Sequence, residues 1–176
     1  MCLKSSIGGG AMFQVNDYVS YTNKGIFQVK EVQCKRNRKK EMEGFYVLQN
    51  MKNDVITSIK TPITNPSLRL VMSENEILKL IDQMPSIQTV WSDDKKIRED
   101  RFQKMLTSGD IWQWAQLSKT IYEMKKEKEE HKKMISDKDK FYFSMAEDLL
   151  FEEISMRFHI KRDEVNDFIF SKLPKH

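Results

Sequence analysis

The sequence predicts an α+β protein in which a small β domain comes first and an all-α helical bundle follows. Short β-forming segments separated by turn residues occupy the chain up to Val71. Helix start signals and apolar residues at helical spacing dominate from Ser73 onward. A run of strands followed by a run of helices is typical of the α+β class.

The β domain is predicted from five short strands. They are expected at Phe13–Tyr21, Ile26–Gln33, Phe45–Leu48 and Val55–Ile59, and a last one at Val71. Asn23-Lys24-Gly25 and Met51–Asp54 supply turns, and Lys35–Lys40 forms a basic hairpin loop. Short strands joined by tight turns favour a small open barrel, with a simple β-meander as the alternative.

The helical part is predicted from its capping signals. Ser73, followed three residues later by Glu76, matches a capping box and predicts the first helix. Asp110 and Ser136 are the expected N-caps of two later helices. Two more helices are expected, from Lys95 to Leu106 and from about Lys161 onward.

Four segments follow from these patterns. Residues 1–11 (MCLKSSIGGGA) lack periodicity and are interpreted as a leader. Residues 12–72 form the predicted β domain, residues 73–86 a connecting helix and linker, and residues 87–176 the predicted helical domain. These boundaries predict two small domains rather than one large core.

Composition argues against several classes of protein. No apolar run approaches the ~18 residues of a transmembrane helix, so no membrane association is expected. Cys2 and Cys34 are the only cysteines. Because Cys2 lies in the leader, no structural disulfide is expected and a cytoplasmic location is predicted. His131, His159 and His176 are scattered, so no metal site is expected.

No motif with a catalytic mechanism is found in the sequence. It has no glycine-rich phosphate loop, no Gly-x-Ser-x-Gly and no His-Glu-x-x-His. We therefore predict a protein that is not an enzyme and that needs no cofactor.

The net charge of +4 is unevenly placed. Residues 1–86 hold 12 Lys and Arg against 8 Asp and Glu, whereas residues 87–176 hold 18 of each. A domain that grips DNA unaided usually has a strongly basic face. Either DNA is not the main partner, or another protein delivers this one to DNA.

Trp91 lies in a polar stretch and has two interpretations. It is a core residue at the domain junction, or an exposed aromatic that inserts at unstacked DNA steps. The basic residues nearest to it are expected to meet phosphates: Lys95, Lys96, Arg98, Arg101 and Lys104. The run Lys35–Lys40 is either a solvated loop or a docking surface for an acidic partner.

From Met12 to about Lys172 the chain resembles the CarD/CdnL family of bacterial transcription regulators. The resemblance rests on the order and spacing of several short segments. They are Phe13–Tyr21 with Lys24-Gly25-Ile26, Ile59-Lys60-Thr61-Pro62, Trp91-Ser92, Leu106 with Ser108-Gly109-Asp110, and Ser136 with Asp139-Lys140 and Ala146.

The resemblance implies a fold and a function. It implies an N-terminal Tudor-like, SH3-like barrel that binds the RNA polymerase β subunit, and a helical bundle that touches promoter DNA at the upstream edge of the bubble. It implies a non-catalytic, nucleoid-associated protein that stabilises the open complex, and we expect a monomer. By position, Lys35 and Lys60 match polymerase contacts, with Arg36 beside Lys35. Trp91 matches the family's DNA wedge, and Arg98 and Arg101 fall among the basic residues near DNA.

A protein–protein scaffold is the alternative function. In that case the helical domain binds another protein and never DNA. Burial of Trp91 discriminates between the two functions, because a wedge must reach DNA whereas a core tryptophan cannot.

Overall fold

The computed structural model describes residues 13–22, 24–52 and 55–174. The chain divides into two compact units, Met1–Val71 and Met72–His176, which we call the sheet unit and the helical unit. The predicted α+β class is confirmed, since an antiparallel sheet is followed by helices. The predicted leader lies outside the described residues, as do parts of both predicted turns.

The sheet unit contains one five-stranded antiparallel sheet. Its strands are β1 (Tyr18–Tyr21), β2 (Gly25–Arg36), β3 (Met42–Lys52), β4 (Val55–Pro62) and β5 (Leu68–Leu70). They are ordered β4-β3-β2-β1-β5, and β4 and β5 form the two edges. Among the described residues no strand pairing joins these edges. The sheet is therefore open, and a closed Tudor-like barrel is not confirmed.

One face of the sheet carries the core of this unit. Because successive side chains of a strand point to opposite faces, alternate apolar residues bury together. The buried cluster consists of Phe13, Val19, Phe27, Val29, Tyr46, Leu48 and Leu68. The Tyr46 hydroxyl accepts a hydrogen bond from the Phe13 amide at 3.0 Å, and burial raises the pKa of this phenol. The opposite face of β2, β3 and β4 carries polar and charged residues together with the partly buried Phe45 and Val47.

The helical unit contains five α-helices and two 3₁₀ turns among the described residues. The helices are α1 (Glu74–Gln83), α2 (Lys95–Thr107), α3 (Ile111–Glu130), α4 (Asp137–Phe158) and α5 (Val165–Lys172). The 3₁₀ turns are Met84–Ser86 and Arg162–Glu164. The predicted N-caps Ser73, Asp110 and Ser136 are confirmed. Asp94, which was not predicted, caps α2 by accepting from the Ile97 amide.

The first helix packs inside the helical unit. Ile77, Leu80 and Ile81 of α1 are fully buried and share a core cluster with Trp114 of α3 and Ile154 of α4. The segment interpreted from the sequence as a connecting helix therefore contributes to the core of the helical unit.

The expectation of no disulfide is wrong. Cys34 lies in β2 and is disulfide-bonded. Cys2, the only other cysteine in the sequence, lies outside the described residues. Because Cys34 is disulfide-bonded, the cysteines no longer support the prediction of a reducing, cytoplasmic compartment.

Candidate functional site

Trp91 lies on a non-helical segment, residues 87–94, between the first 3₁₀ turn and α2. Polar side chains of α3 hold this segment and the turn before it through backbone hydrogen bonds. Lys119 donates to the carbonyls of Pro85 and Ile87, Gln116 donates to that of Gln88, and the Val90 amide donates to Thr120. The backbone that carries the tryptophan is therefore fixed to the helices.

The Trp91 indole is half-buried. It packs at the margin of a core cluster, and its ring centroid lies 6.1 Å from that of the buried Phe102. The indole N–H donates to the Asp93 carboxylate at 3.2 Å. The ring is thus anchored on one side and still reaches the surface. Trp91 is therefore neither a fully buried core residue nor a fully exposed aromatic.

Arg98 differs from the other predicted phosphate contacts because it is buried, with 8% of its surface exposed. Its guanidinium donates to both carboxylate oxygens of Asp139, at 3.1 and 3.3 Å, and to the Ser92 carbonyl at 2.7 Å. The same guanidinium lies 4.3 Å from the centroid of the Trp91 ring. Three of its donor groups are therefore engaged within the helical unit, and the DNA contact predicted for Arg98 does not fit this position.

Lys128, near the end of α3, is a member of this site that sequence reasoning missed. Its ammonium lies 5.4 Å from the Trp91 ring centroid. No spacing rule connects it to Trp91, because only the packing of α3 beside the segment 87–94 brings the two together. A cation near an aromatic face is attracted to the ring quadrupole.

The remaining predicted phosphate contacts are exposed on α2. Lys95 and Lys104 form i,i+4 ion pairs with Glu99 and Asp100, at 3.9 and 2.7 Å. Exposed pairs of this kind are weak and exchange readily with other partners. Arg101 donates to the Val90 carbonyl at 2.8 Å.

These basic residues do not form a single stripe along α2. Nine residues make about two and a half helical turns, so Lys95 and Lys104 project on opposite sides of the helix axis. Lys96 is exposed and lies between them around the helix. The structure therefore offers scattered cations around Trp91 rather than one continuous basic patch.

The polymerase contacts implied by the resemblance lie on the sheet unit. Lys35 of β2 and Lys60 of β4 are both exposed and, by strand register, lie on the outer face of the sheet. The Lys60 ammonium donates to the side chain of Gln33 at 2.6 Å and lies 4.9 Å from the Phe45 ring centroid. Arg36, adjacent in sequence to Lys35, lies on the opposite face of the strand.

Among the described residues, no group of three or more His, Cys, Asp or Glu is placed to hold a metal ion. In the same part of the chain, no helix combines the length and the apolar character needed to cross a membrane. Comparison of the chain with protein-family models and with curated proteins finds no match.

Proposed function

We propose that this protein is a non-catalytic bacterial transcription regulator of the CarD/CdnL type. In this proposal the sheet unit, as a Tudor-like module, binds the β subunit of RNA polymerase. The helical unit contacts promoter DNA at the upstream edge of the transcription bubble and stabilises the open complex. The sequence resemblance suggests the proposal, and the geometry around Trp91 supports it.

The observation that carries the proposal is an anchored but accessible tryptophan with cations beside it. An aromatic ring on which a base stacks contributes about 1–3 kcal/mol, and neighbouring cations attract the phosphate backbone. Trp91 has a fixed backbone, one side against Phe102, and the Lys128 ammonium nearby. A side chain held in this way loses little conformational entropy when it binds.

The distribution of charge supports a division of labour between the units. The excess of basic residues lies in the sheet unit, because residues 1–71 hold 11 Lys and Arg against 5 Asp and Glu, whereas residues 72–176 hold 19 against 21. Docking through the sheet unit would raise the local concentration of the helical unit at DNA, so that weak DNA contact suffices. Contacts made only with opened DNA would then shift the closed–open equilibrium by their differential free energy.

The test separates docking from DNA contact in the full-length chain. We expect the unaltered protein to bind the isolated polymerase β subunit and to lengthen the lifetime of the open complex. Trp91→Ala should keep β-subunit binding and lose the effect on lifetime. Lys35→Glu with Lys60→Glu should weaken β-subunit binding and reduce the effect on lifetime with it. If the unaltered protein does not bind the β subunit, the proposed function is wrong.

A protein–protein scaffold is favoured by one specific observation. Trp91 packs against Phe102 and lies beside the buried Arg98, so part of the ring already serves the helical core. In this alternative the exposed remainder of the ring belongs to a protein interface. Polymerase-independent capture of a protein partner, lost in Trp91→Ala, together with an unchanged open-complex lifetime would favour the scaffold.

A further inference from the structure

We propose that Arg98 and Asp139 are positioning residues that set the orientation of the Trp91 ring. The ion pair does not itself meet DNA in this proposal. Its consequence for open-complex lifetime rests on the proposed function, whereas its effect on the ring does not.

The geometry gives the guanidinium three connections to the site. Its bidentate bond to Asp139 fixes the plane of the group, because the two parallel contacts allow little rotation. Its bond to the Ser92 carbonyl holds the residue next to Trp91 in the chain. Its carbon lies 4.3 Å from the ring centroid, within the range of a cation–π contact. The guanidinium therefore constrains both the backbone beside the tryptophan and the ring itself.

The partner carboxylate is also held in place. Asp139 is 2% exposed and lies in the first turn of α4. Its Oδ2 accepts a hydrogen bond from the Ser136 hydroxyl at 2.7 Å, and its amide donates to the same hydroxyl at 3.1 Å. The N-terminal cap of α4 thus fixes Asp139, Asp139 fixes Arg98, and Arg98 constrains Trp91.

A second ion pair provides a matched control. Lys138 and Glu99 join α4 to α2, the same two helices that Arg98 and Asp139 join. Lys138 is half-exposed and has no ring contact with Trp91 among the described residues. Loss of this pair removes an ion pair between the same two helices without removing a contact of the tryptophan.

The experiment uses the full chain labelled with 5-fluorotryptophan, with fluorine resonances assigned by Trp91→Phe. Trp112 and Trp114 serve as internal references, because both belong to a different core cluster. In Asp139→Asn we expect the Trp91 resonance to shift or broaden while the two references stay. Lys138→Gln should leave all three resonances in place. An unmoved Trp91 resonance in Asp139→Asn would overturn the proposal, and so would an equal shift in Lys138→Gln.

Arg98→Lys decides the matter if Asp139→Asn does not fold. Lysine keeps a cation opposite Asp139 but has no planar fork for two parallel bonds and no flat group to lie against the indole. The Trp91 resonance should therefore move even though the charge is retained. If it stays in place, the guanidinium does not orient the ring and the proposal is wrong.

Open-complex lifetime then connects the ring to function. Trp91→Ala should shorten the lifetime by roughly tenfold, as expected for loss of one base–aromatic contact. Asp139→Asn or Arg98→Lys should reproduce most of that loss with β-subunit binding intact, and Lys138→Gln should not. If Trp91→Ala has no effect, the proposed function fails, and the resonance shift alone still decides the positioning role. If Trp91→Ala shortens the lifetime but the ion-pair variants do not, the positioning role fails.

Discussion

The outer face of the sheet and the Trp91 site use positive charge in opposite ways. On the sheet, Lys35 and Lys60 are exposed, and Lys60 donates to the side chain of Gln33 on the same outer face. At the Trp91 site, Arg98 is buried, and its guanidinium donates three hydrogen bonds to other groups of the helical unit. Exposed charges act at a distance and mainly accelerate encounter, whereas a buried, paired charge fixes geometry. Similar residue types are thus exposed in one unit and buried and paired in the other.

Charged side chains also fix the backbone at Met72, the first residue of the helical unit. The buried carboxylate of Glu153 accepts a hydrogen bond from the Met72 amide at 2.8 Å. Arg157, one turn further along α4, donates to the Met72 carbonyl at 2.6 Å. Charged side chains of α4 therefore fix a backbone position here, just as Asp139 does through Arg98 at the other end of the helix.

The largest expected effect is loss of the buried pair. Asp139→Ala should lower the free energy of unfolding by about 3–5 kcal/mol, because it leaves the Arg98 charge buried without its partner. Chemical denaturation of the full-length chain measures the change. Asp100→Ala is the control, since it removes an exposed pair with Lys104 and should change stability by about 0–1 kcal/mol. If the two variants lose equal amounts of unfolding free energy, the buried pair stabilises the fold no more than the exposed pair does.

Trp91→Ala should have an intermediate effect on stability. A fully buried aromatic residue costs about 3–5 kcal/mol when truncated to alanine, and Trp91 is only half-buried. We expect a loss of about 1–3 kcal/mol in thermal or chemical unfolding. An unchanged melting temperature would mean that the ring contributes nothing to the core, and a loss as large as that of Trp114→Ala would mean that it is a core residue.

Charge reversal on the sheet should affect binding and leave stability unchanged. Lys35→Glu with Lys60→Glu should weaken β-subunit binding roughly tenfold at low salt, mostly through slower association. Arg36→Glu should have a smaller effect, because Arg36 lies on the other face of the strand. Surface plasmon resonance at two salt concentrations measures both rates. An effect of Arg36→Glu equal to that of the double variant would place the docking surface elsewhere.

The smallest expected effect is a pH dependence at Glu147. Burial raises the pKa of this carboxyl, only partly offset by the nearby Arg162. A carboxyl whose pKa is higher in the folded state than in the unfolded state stabilises the fold below its unfolded pKa. This stabilisation is lost as the pH rises through its folded pKa. Glu147→Gln should therefore be more stable than the unaltered chain at pH 7, by about 0.5 kcal/mol at most after solvent screening. The gain should vanish near pH 4, close to the ordinary glutamate pKa of about 4.3. Thermal unfolding at both pH values measures it, and an equal gain at each would contradict the assignment.

Features that depend on neighbours in the chain could be predicted from the sequence. The caps at Ser73, Asp110 and Ser136 are local, because a side chain there meets an amide two or three residues later. The alternation of strands and the spacing of helical apolar residues are local too. These patterns determine the α+β class and the order of the two units.

The features that involve distant residues were decided only by the tertiary structure. Arg98 looked like one cation among five on a basic helix until the packing of α4 placed Asp139 against it. Lys128 approaches Trp91 because α3 runs beside the segment 87–94, and Cys34 is bonded although its thiol looked free. Contacts between such distant residues depend on how whole elements pack, and no local pattern specifies that packing. The open edges of the sheet have the same origin, since closure depends on where β4 and β5 come to lie.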